Sequence, residues 1–343
     1  MAFSSNALCA KAKAMYGGRL TEEEYDDLCR KTSISDLVTY LKSQTSYSNC
    51  LKSINVRNVH RGQVENAIMH EFYNRATKLL KYAPTKNQEF YFMSVMRVEN
   101  RIIIEKLISL KNKEARSFDL NIPDYLVSKM SFNVYGLVNI EDYKGLLQYL
   151  EKTRYYNILA SYNVEGEIDI NAIQHDLTEN YYDYYISTIK KNFKGSVQKE
   201  LMEIVYTVIE LDNITTIYRY KEYFHEQPEK ILKSIHPKYT RMPKAFLDKL
   251  VNASGVEEIR TLLHNSIYAN YADDKNYIFI EYFTERIQYN LAKRYMRFSS
   301  SAPLVYMTYN ILQQIEGYNL DHIIEGIRYS KSSTEIMDTL IYA

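Results

Sequence analysis

Tryptophan is absent from this sequence of 343 residues, and glycine and proline are scarce, with 10 and 6 copies. Average usage of about 7% and 5% would give roughly 24 glycines and 17 prolines. Because these two residues mark turns and loops, their scarcity favours long helices over a barrel or sandwich of short strands. The length suggests about two or three domains, or one large repetitive unit.

An excess of charge of either sign is also missing, since 43 lysines and arginines face 42 aspartates and glutamates. This balance gives no electrostatic reason to expect nucleic-acid binding. The 34 tyrosines therefore suit packing between helices better than base stacking.

Cysteine is rare, with Cys9, Cys29 and Cys50 only, and the N-terminus has no apolar run of signal-peptide length. We expect reduced thiols in a cytosolic protein.

Long hydrophobic runs are lacking. The longest stretch without charge, residues 298–315, contains Ser, Pro, Thr, Asn and Gln, which a bilayer would reject. The sequence predicts no membrane span, whereas a peripheral position on a membrane requires only a complementary surface.

Motifs of known catalytic and cofactor sites are missing as well. There is no G-x-x-x-x-G-K-[ST], G-x-G-x-x-G, G-x-S-x-G or H-E-x-x-H, and no C-x-x-C. The histidines occur singly, without the spacing of metal ligands; they are His60, His70, His175, His225, His236, His264 and His322. We predict no catalytic residue, no cofactor and no bound metal.

Helical signals, in contrast, are strong. Thr21 to Glu24 has the form of a capping box, in which the Thr hydroxyl and the Glu carboxylate each accept a backbone N–H. Apolar residues recur with helical period in 95–110, 201–218 and 304–327. The tyrosine-rich stretch 181–185 has strand propensity, but its flanks continue a helical period. The sequence predicts an all-α fold.

Three local patterns recur in the same order at intervals close to 110 residues, which indicates a triplication. The first is an apolar pair followed by a Ser/Thr-x-Tyr turn, and the second is a glutamate followed by aromatics. The third is an acidic residue near an asparagine in an apolar helix. The signature residues are Tyr47, Tyr155 and Tyr268 of the first pattern, and Glu99, Asn100, Glu210, Asn213, Glu316 and Asn319 of the third. The predicted units are residues 1–115, 116–228 and 229–343, packed together because no linker separates them.

The recurring glutamates have two interpretations. Near apolar positions they could transfer protons if they faced a cleft. A structural role is favoured, either in capping or in pairing with Arg97, Arg101 or Arg219. We expect all nine signature residues to shape the helical bundles rather than to bind a ligand.

The N-terminal stretch 6–51 carries a basic segment at Lys11 and Lys13, then Gly-Arg-Leu-Thr-Glu-Glu-Glu-Tyr at 18–25, and Thr45-Ser-Tyr47. With the triplication and the ending at 319–328, it resembles the central-stalk subunit of V/A-type rotary ATPases. Members of that family bear the letter C in prokaryotic complexes and the letter d in eukaryotic ones. The resemblance extends over essentially the whole chain.

The resemblance implies three similar helical bundles arranged with pseudo-threefold symmetry as a funnel. It implies two partners, the rotor-shaft subunits of the soluble ATPase head and the membrane rotor ring of proteolipid subunits, on whose cytoplasmic face the protein would sit. The work implied is mechanical, because the protein would couple ATP hydrolysis or synthesis to proton or sodium transport without being an enzyme. From composition and repeats alone, a triplicated helical scaffold or adaptor unrelated to ion transport stays open, as does an enzyme of unrecognised type.

Overall fold

Apolar residues at helical spacing form the long helices of this chain. The computed structural model describes residues 5–112, 122–162, 168–269 and 279–342. Its α-helices in chain order are α1 Ser5–Gly17, α2 Glu22–Cys29, α3 Ile34–Gln44, α4 Ser48–Leu51, α5 Arg61–Leu80, α6 Gln88–Tyr91, α7 Met93–Asn112, α8 Asp124–Val127, α9 Tyr143–Leu150, α10 Tyr156–Ala160, α11 Ile170–Asn192, α12 Gly195–Arg219, α13 Pro228–Leu232, α14 Lys244–Asn252, α15 Val256–His264, α16 Ile280–Phe298, α17 Ala302–Arg328 and α18 Ser333–Met337. No β-strand occurs within these ranges, so the all-α prediction is confirmed.

The helix signals read from the sequence have their expected structures. The three periodic stretches lie in α7, α12 and α17, and the tyrosine-rich stretch lies inside α11. At the start of α2, the Glu24 carboxylate accepts the Thr21 N–H at 2.7 Å, and the Thr21 hydroxyl accepts the Glu24 N–H at 3.2 Å. The predicted capping box is therefore confirmed.

The long helices pack side by side. α17 contacts α16, α1 and α5, while α12 contacts both α16 and α11, and α11 contacts α7. Each predicted unit contributes a pair of long helices, namely α5 and α7, then α11 and α12, then α16 and α17. Short helices connect one pair to the next.

The buried apolar residues form three clusters. The largest fills the space among α1, α7, α11, α16 and α17. A second joins residues 20–51 to the last turns of α17, so it combines the two ends of the chain. A third joins residues 231–268 to the second half of α12 and the start of α16.

Of the two unit boundaries predicted from the sequence, one lies within the described residues. The boundary at 228/229 lies at the start of α13, and the boundary at 115/116 lies outside the described residues. Among the helices within the described ranges, none has both the length and the apolar character that a bilayer crossing requires.

Candidate functional site

The three signature tyrosines each donate a hydrogen bond to one signature glutamate. Tyr155 Oη lies 2.6 Å from Glu99 Oε2, Tyr47 Oη lies 2.5 Å from Glu316 Oε1, and Tyr268 Oη bonds to the Glu210 carboxylate. All six side chains are buried, with exposed fractions of 6% or less. The pairing is cyclic. The glutamate of the first predicted unit bonds to the tyrosine of the second, the glutamate of the second bonds to the tyrosine of the third, and the glutamate of the third bonds to the tyrosine of the first.

The Ser/Thr-x-Tyr pattern is a turn that ends the preceding helix and points the tyrosine inward. The Thr45 hydroxyl accepts the Tyr47 N–H at 3.2 Å and donates to the Leu41 carbonyl at 2.8 Å. In the other turns, Thr153 and Ser266 accept the tyrosine N–H in the same way and donate to the carbonyl of the preceding leucine, three residues back instead of four. The recurring sequence is thus explained by a recurring local structure.

Each buried glutamate also accepts a backbone N–H from the chain that enters the short helices. The donors are Ser131 for Glu99, Leu20 for Glu316 and Arg241 for Glu210. These bonds compensate charges that would otherwise be costly to bury.

Arginines compensate two of the three charges. Arg75 Nη1 lies 2.7 Å from Glu316 Oε1, and Arg241 Nη2 lies 2.9 Å from Glu210 Oε2. Within the described ranges no ion pair forms at Glu99. The expectation that the glutamates pair with Arg97, Arg101 or Arg219 is wrong, because these side chains lie on other faces of their helices and bond to Gln314, Glu105 and Glu281.

The signature asparagines hold backbone segments against the long helices. Asn213 accepts the His236 N–H at 2.8 Å and donates to the His236 carbonyl at 3.1 Å. Asn319 does the same with Ile341, at 2.9 and 2.8 Å. Asn100 donates to the Leu177 carbonyl at 3.1 Å. The structure therefore places all nine signature residues in internal hydrogen bonds.

A cavity of about 900 Å³ lies among α7, α11, α12, α16 and α17. Its charged lining residues are Arg97, Arg101, Arg219, Glu105, Asp212, Glu281, Glu285 and Asp321, together with His322. With all carboxylates ionised and His322 neutral, five negative charges face three positive ones. Sequence reasoning missed this site, because its residues come from five helices and share no local motif.

Three acids in the cavity have pKa values raised to between about 6 and 7. Burial raises the pKa of Glu285 to about 7, and the neighbouring Glu281 carboxylate adds to the rise. Removal from bulk water inside the cavity raises the pKa of Asp212 and of Asp321 to about 6. Glu281 and Glu105, by contrast, form ion pairs with arginines. The cavity can therefore take up or release protons between about pH 6 and 7.

Outside the cavity, two histidines that looked isolated in the sequence lie together. The rings of His175 and His236 stack with their centroids 4.3 Å apart and 12° between planes. Burial, with a smaller contribution from His175, lowers the pKa of His236 to about 4. Glu179 follows His175 by one helical turn on α11 and lies beside the same pair. These two histidines occur singly along the sequence, and the fold brings them together.

Comparison with known proteins finds one family. The family model described as "ATP synthase (C/AC39) subunit" matches residues 8–339. No curated protein matches the chain.

Proposed function

Because the chain belongs to the ATP synthase (C/AC39) subunit family, we propose that it is the non-catalytic central-stalk rotor subunit of a V/A-type ATPase. It links the rotating shaft of the soluble ATPase head to the membrane rotor ring of proteolipid subunits, on the cytoplasmic face of the membrane. Through this link, ATP hydrolysis or synthesis is coupled to proton or sodium transport.

The observation that carries this proposal is the cavity among the long helices. A cavity of about 900 Å³ is at the upper end of the range of about 300–1,000 Å³ typical of ligand pockets. Its walls come from all three predicted units, and they are helices rather than mobile loops. A rigid socket that receives the end of the shaft would transmit torque without bending.

We propose that units 1–115, 116–228 and 229–343 form three similar bundles with pseudo-threefold symmetry, arranged as a funnel. The support for this arrangement is the cyclic pairing of the buried glutamates and tyrosines. Each pair ties one long helix to the short helices of the following unit, and the Tyr47–Glu316 pair connects the first unit to the third. Such a closed set of links resists twisting between the units.

We propose that the cavity receives a cationic segment of the shaft. Its carboxylates outnumber its arginines, so a segment with a net positive charge is complementary. A cationic segment favours the ionised form of Glu285, Asp212 and Asp321. Docking therefore releases protons, and the affinity should rise as the pH increases from about 6 to about 8.

The experiment is a reconstitution on membranes that hold the rotor ring but are stripped of this chain. The soluble ATPase head is added with and without the purified protein. Sedimentation of the head and ATP hydrolysis sensitive to a blocker of the ion channel are then measured together. Both should appear only when the protein is added.

A matched pair of variants tests the cavity itself. Glu285→Lys combined with Asp212→Lys reverses charge inside the cavity, whereas Glu229→Lys reverses charge at an exposed position on α13. We expect the first variant to bind the membrane ring but not to couple the head, and the second to behave as the parent. If the head docks and couples equally well without the protein, the rotor function is wrong and a helical adaptor is the alternative.

A further inference from the structure

The cluster of His175, Glu179 and His236 has the composition of a metal site and takes no part in the proposed rotor function. One ligand atom from each of the three side chains lies within 4.8 Å of the others. His175 and Glu179 are four residues apart on α11, so they share one face of that helix. None of these three side chains lines the central cavity.

The position of His236 does not require a polar side chain. Its backbone is held by Asn213 in the same two-bond arrangement in which Asn319 holds Ile341. Ile341 is 1% exposed, which shows that an apolar side chain satisfies the equivalent position. His236 is 9% exposed, and among the described residues its Nδ1 has no hydrogen-bond partner. A buried imidazole with an unpaired nitrogen lowers stability, so its presence indicates a use outside the fold.

The surroundings of His175 suit a ligand as well. Its Nε2 lies 3.1 Å from the Ile235 carbonyl oxygen, an arrangement in which Nε2–H donates to the carbonyl. Metal-binding histidines commonly donate their second nitrogen in this way, which orients the ring and leaves the other nitrogen free. That other nitrogen, Nδ1, lies 3.3 Å from Asp176 Oδ1. A cation bound at Nδ1 would therefore also lie close to the Asp176 carboxylate.

We propose that His175, Glu179 and His236 bind a divalent transition-metal ion of the zinc type, with two imidazole nitrogens, one carboxylate oxygen and water as ligands. Two nitrogens and one oxygen favour zinc over calcium or magnesium, which prefer oxygen alone. The stacked rings tilt as the ion enters, because both nitrogens must point at it from about 2.1 Å. The His175 side chain is 21% exposed, so the ion has access from solvent. Once bound, the ion ties α11 to the chain segment that Asn213 holds against α12.

The test uses the full chain without an affinity tag, stripped of metal by a chelator. Cobalt(II) is titrated as a spectroscopic probe, and zinc is added in a separate thermal unfolding experiment. We expect one equivalent of cobalt with visible absorption but no thiolate-to-cobalt band in the near ultraviolet. Zinc at about one hundred times its Kd should raise Tm by about 4 °C.

The variants separate binding from folding. His236→Ile introduces the residue type of Ile341, which Asn319 holds in the same way as Asn213 holds His236. We expect it to keep or raise the Tm of the metal-free protein while it abolishes the cobalt absorption and the zinc effect. Glu179→Gln should weaken cobalt binding at least tenfold with no change in the metal-free Tm, and it serves as the test if His236→Ile does not fold. His225→Gln removes an exposed histidine and should change neither result.

Three outcomes would overturn the proposal. They are the absence of stoichiometric cobalt binding, cobalt binding that survives His236→Ile or Glu179→Gln, and a thiolate-to-cobalt band. The last would assign the ion to Cys9, Cys29 or Cys50 instead. None of these outcomes bears on head docking, so the proposed rotor function stands or falls separately.

Discussion

Replacing Tyr155 by Phe removes a hydrogen bond from the least compensated of the three buried glutamates. Glu99 is 3% exposed, and within the described chain its carboxylate accepts only the Tyr155 hydroxyl and the Ser131 N–H. The other two buried glutamates each keep an arginine partner when their tyrosine is changed. We therefore expect Tyr155→Phe to destabilise the protein more than Tyr47→Phe or Tyr268→Phe.

The magnitude follows from the charge on the acceptor. A hydrogen bond to a charged group contributes about 1.5–3 kcal/mol. We expect a loss of about 3 kcal/mol for Tyr155→Phe and about 1.5 kcal/mol for each of the other two. For 343 residues unfolding as one cooperative unit, the entropy of unfolding is about 720 cal/mol/K. The expected decreases in Tm are therefore about 4 °C and about 2 °C.

The assay is calorimetric and urea-induced unfolding of the three variants beside Tyr329→Phe. Tyr329 is 65% exposed, so loss of its hydroxyl should change stability by less than about 0.5 kcal/mol. A double-mutant cycle with Glu99→Gln isolates the contribution that the carboxylate charge makes to this bond. In that background the acceptor is neutral, and Tyr155→Phe should cost only about 1 kcal/mol, which leaves a coupling of about 2 kcal/mol.

Two results would refute this reasoning. If Tyr47→Phe destabilises the protein as much as Tyr155→Phe, arginine does not compensate the buried carboxylate. If the coupling between Tyr155 and Glu99 is below about 0.5 kcal/mol, the hydroxyl contributes nothing specific to the buried charge.

Three further predictions concern packing, pH and the end of the chain. Gly326→Ala should destabilise by about 2 kcal/mol, because its Cβ would lie 2.4 Å from Ile336 Cγ1 and push α18 away from α17. Gly62→Ala, with no atom within 4 Å of the added Cβ, should be neutral or stabilising. The pKa of Glu285 is raised in the folded protein to about 7, so its ionisation lowers stability as the pH rises from about 4.5 to about 7. Glu285→Gln should therefore leave stability unchanged at pH 4 and increase it by about 3 kcal/mol at pH 8 in urea unfolding. Asn319→Ala should cost about 3 kcal/mol and speed amide exchange near the C-terminus, since it leaves two buried backbone groups unpaired.

Each of these has an outcome that contradicts it. Equal unfolding midpoints for the two alanine variants would mean that α18 adjusts freely to the added methyl group. A Glu285→Gln protein that gains no stability at pH 8 would show that the carboxylate is well solvated in the cavity. Unchanged amide exchange in Asn319→Ala would show that the asparagine does not anchor the C-terminal segment.

Much of the fold could be predicted from the sequence, because its determinants are local. Helical periodicity in α7, α12 and α17 arises from residues three and four positions apart, and the capping box at Thr21 spans four residues. The Ser/Thr-x-Tyr turn is equally local, which is why it recurs with the same hydrogen bonds around Tyr47 and Tyr155.

The partners of the signature residues could not be predicted in the same way. Proximity in sequence suggested Arg97 and Arg101 as partners of Glu99. Both arginines instead project from the opposite face of α7, where they bond to Gln314 and Glu105. Two arginines do compensate buried glutamates. Arg75 pairs with Glu316, which is distant in sequence. Arg241 pairs with Glu210, which lies on a different element of the fold.

The sequence by itself determined the helices, the repeated turns and the family of this protein, since each depends on short-range spacing or on order along the chain. Only the tertiary structure decided that the third unit returns to the first through Glu316 and Tyr47, which lie 269 residues apart. It also decided that His175 meets His236 and that acids from several helices share one cavity. The physical reason is that hydrogen bonds, ion pairs and burial depend on distances in the folded protein. Packing of the helices brings together residues that are far apart in sequence.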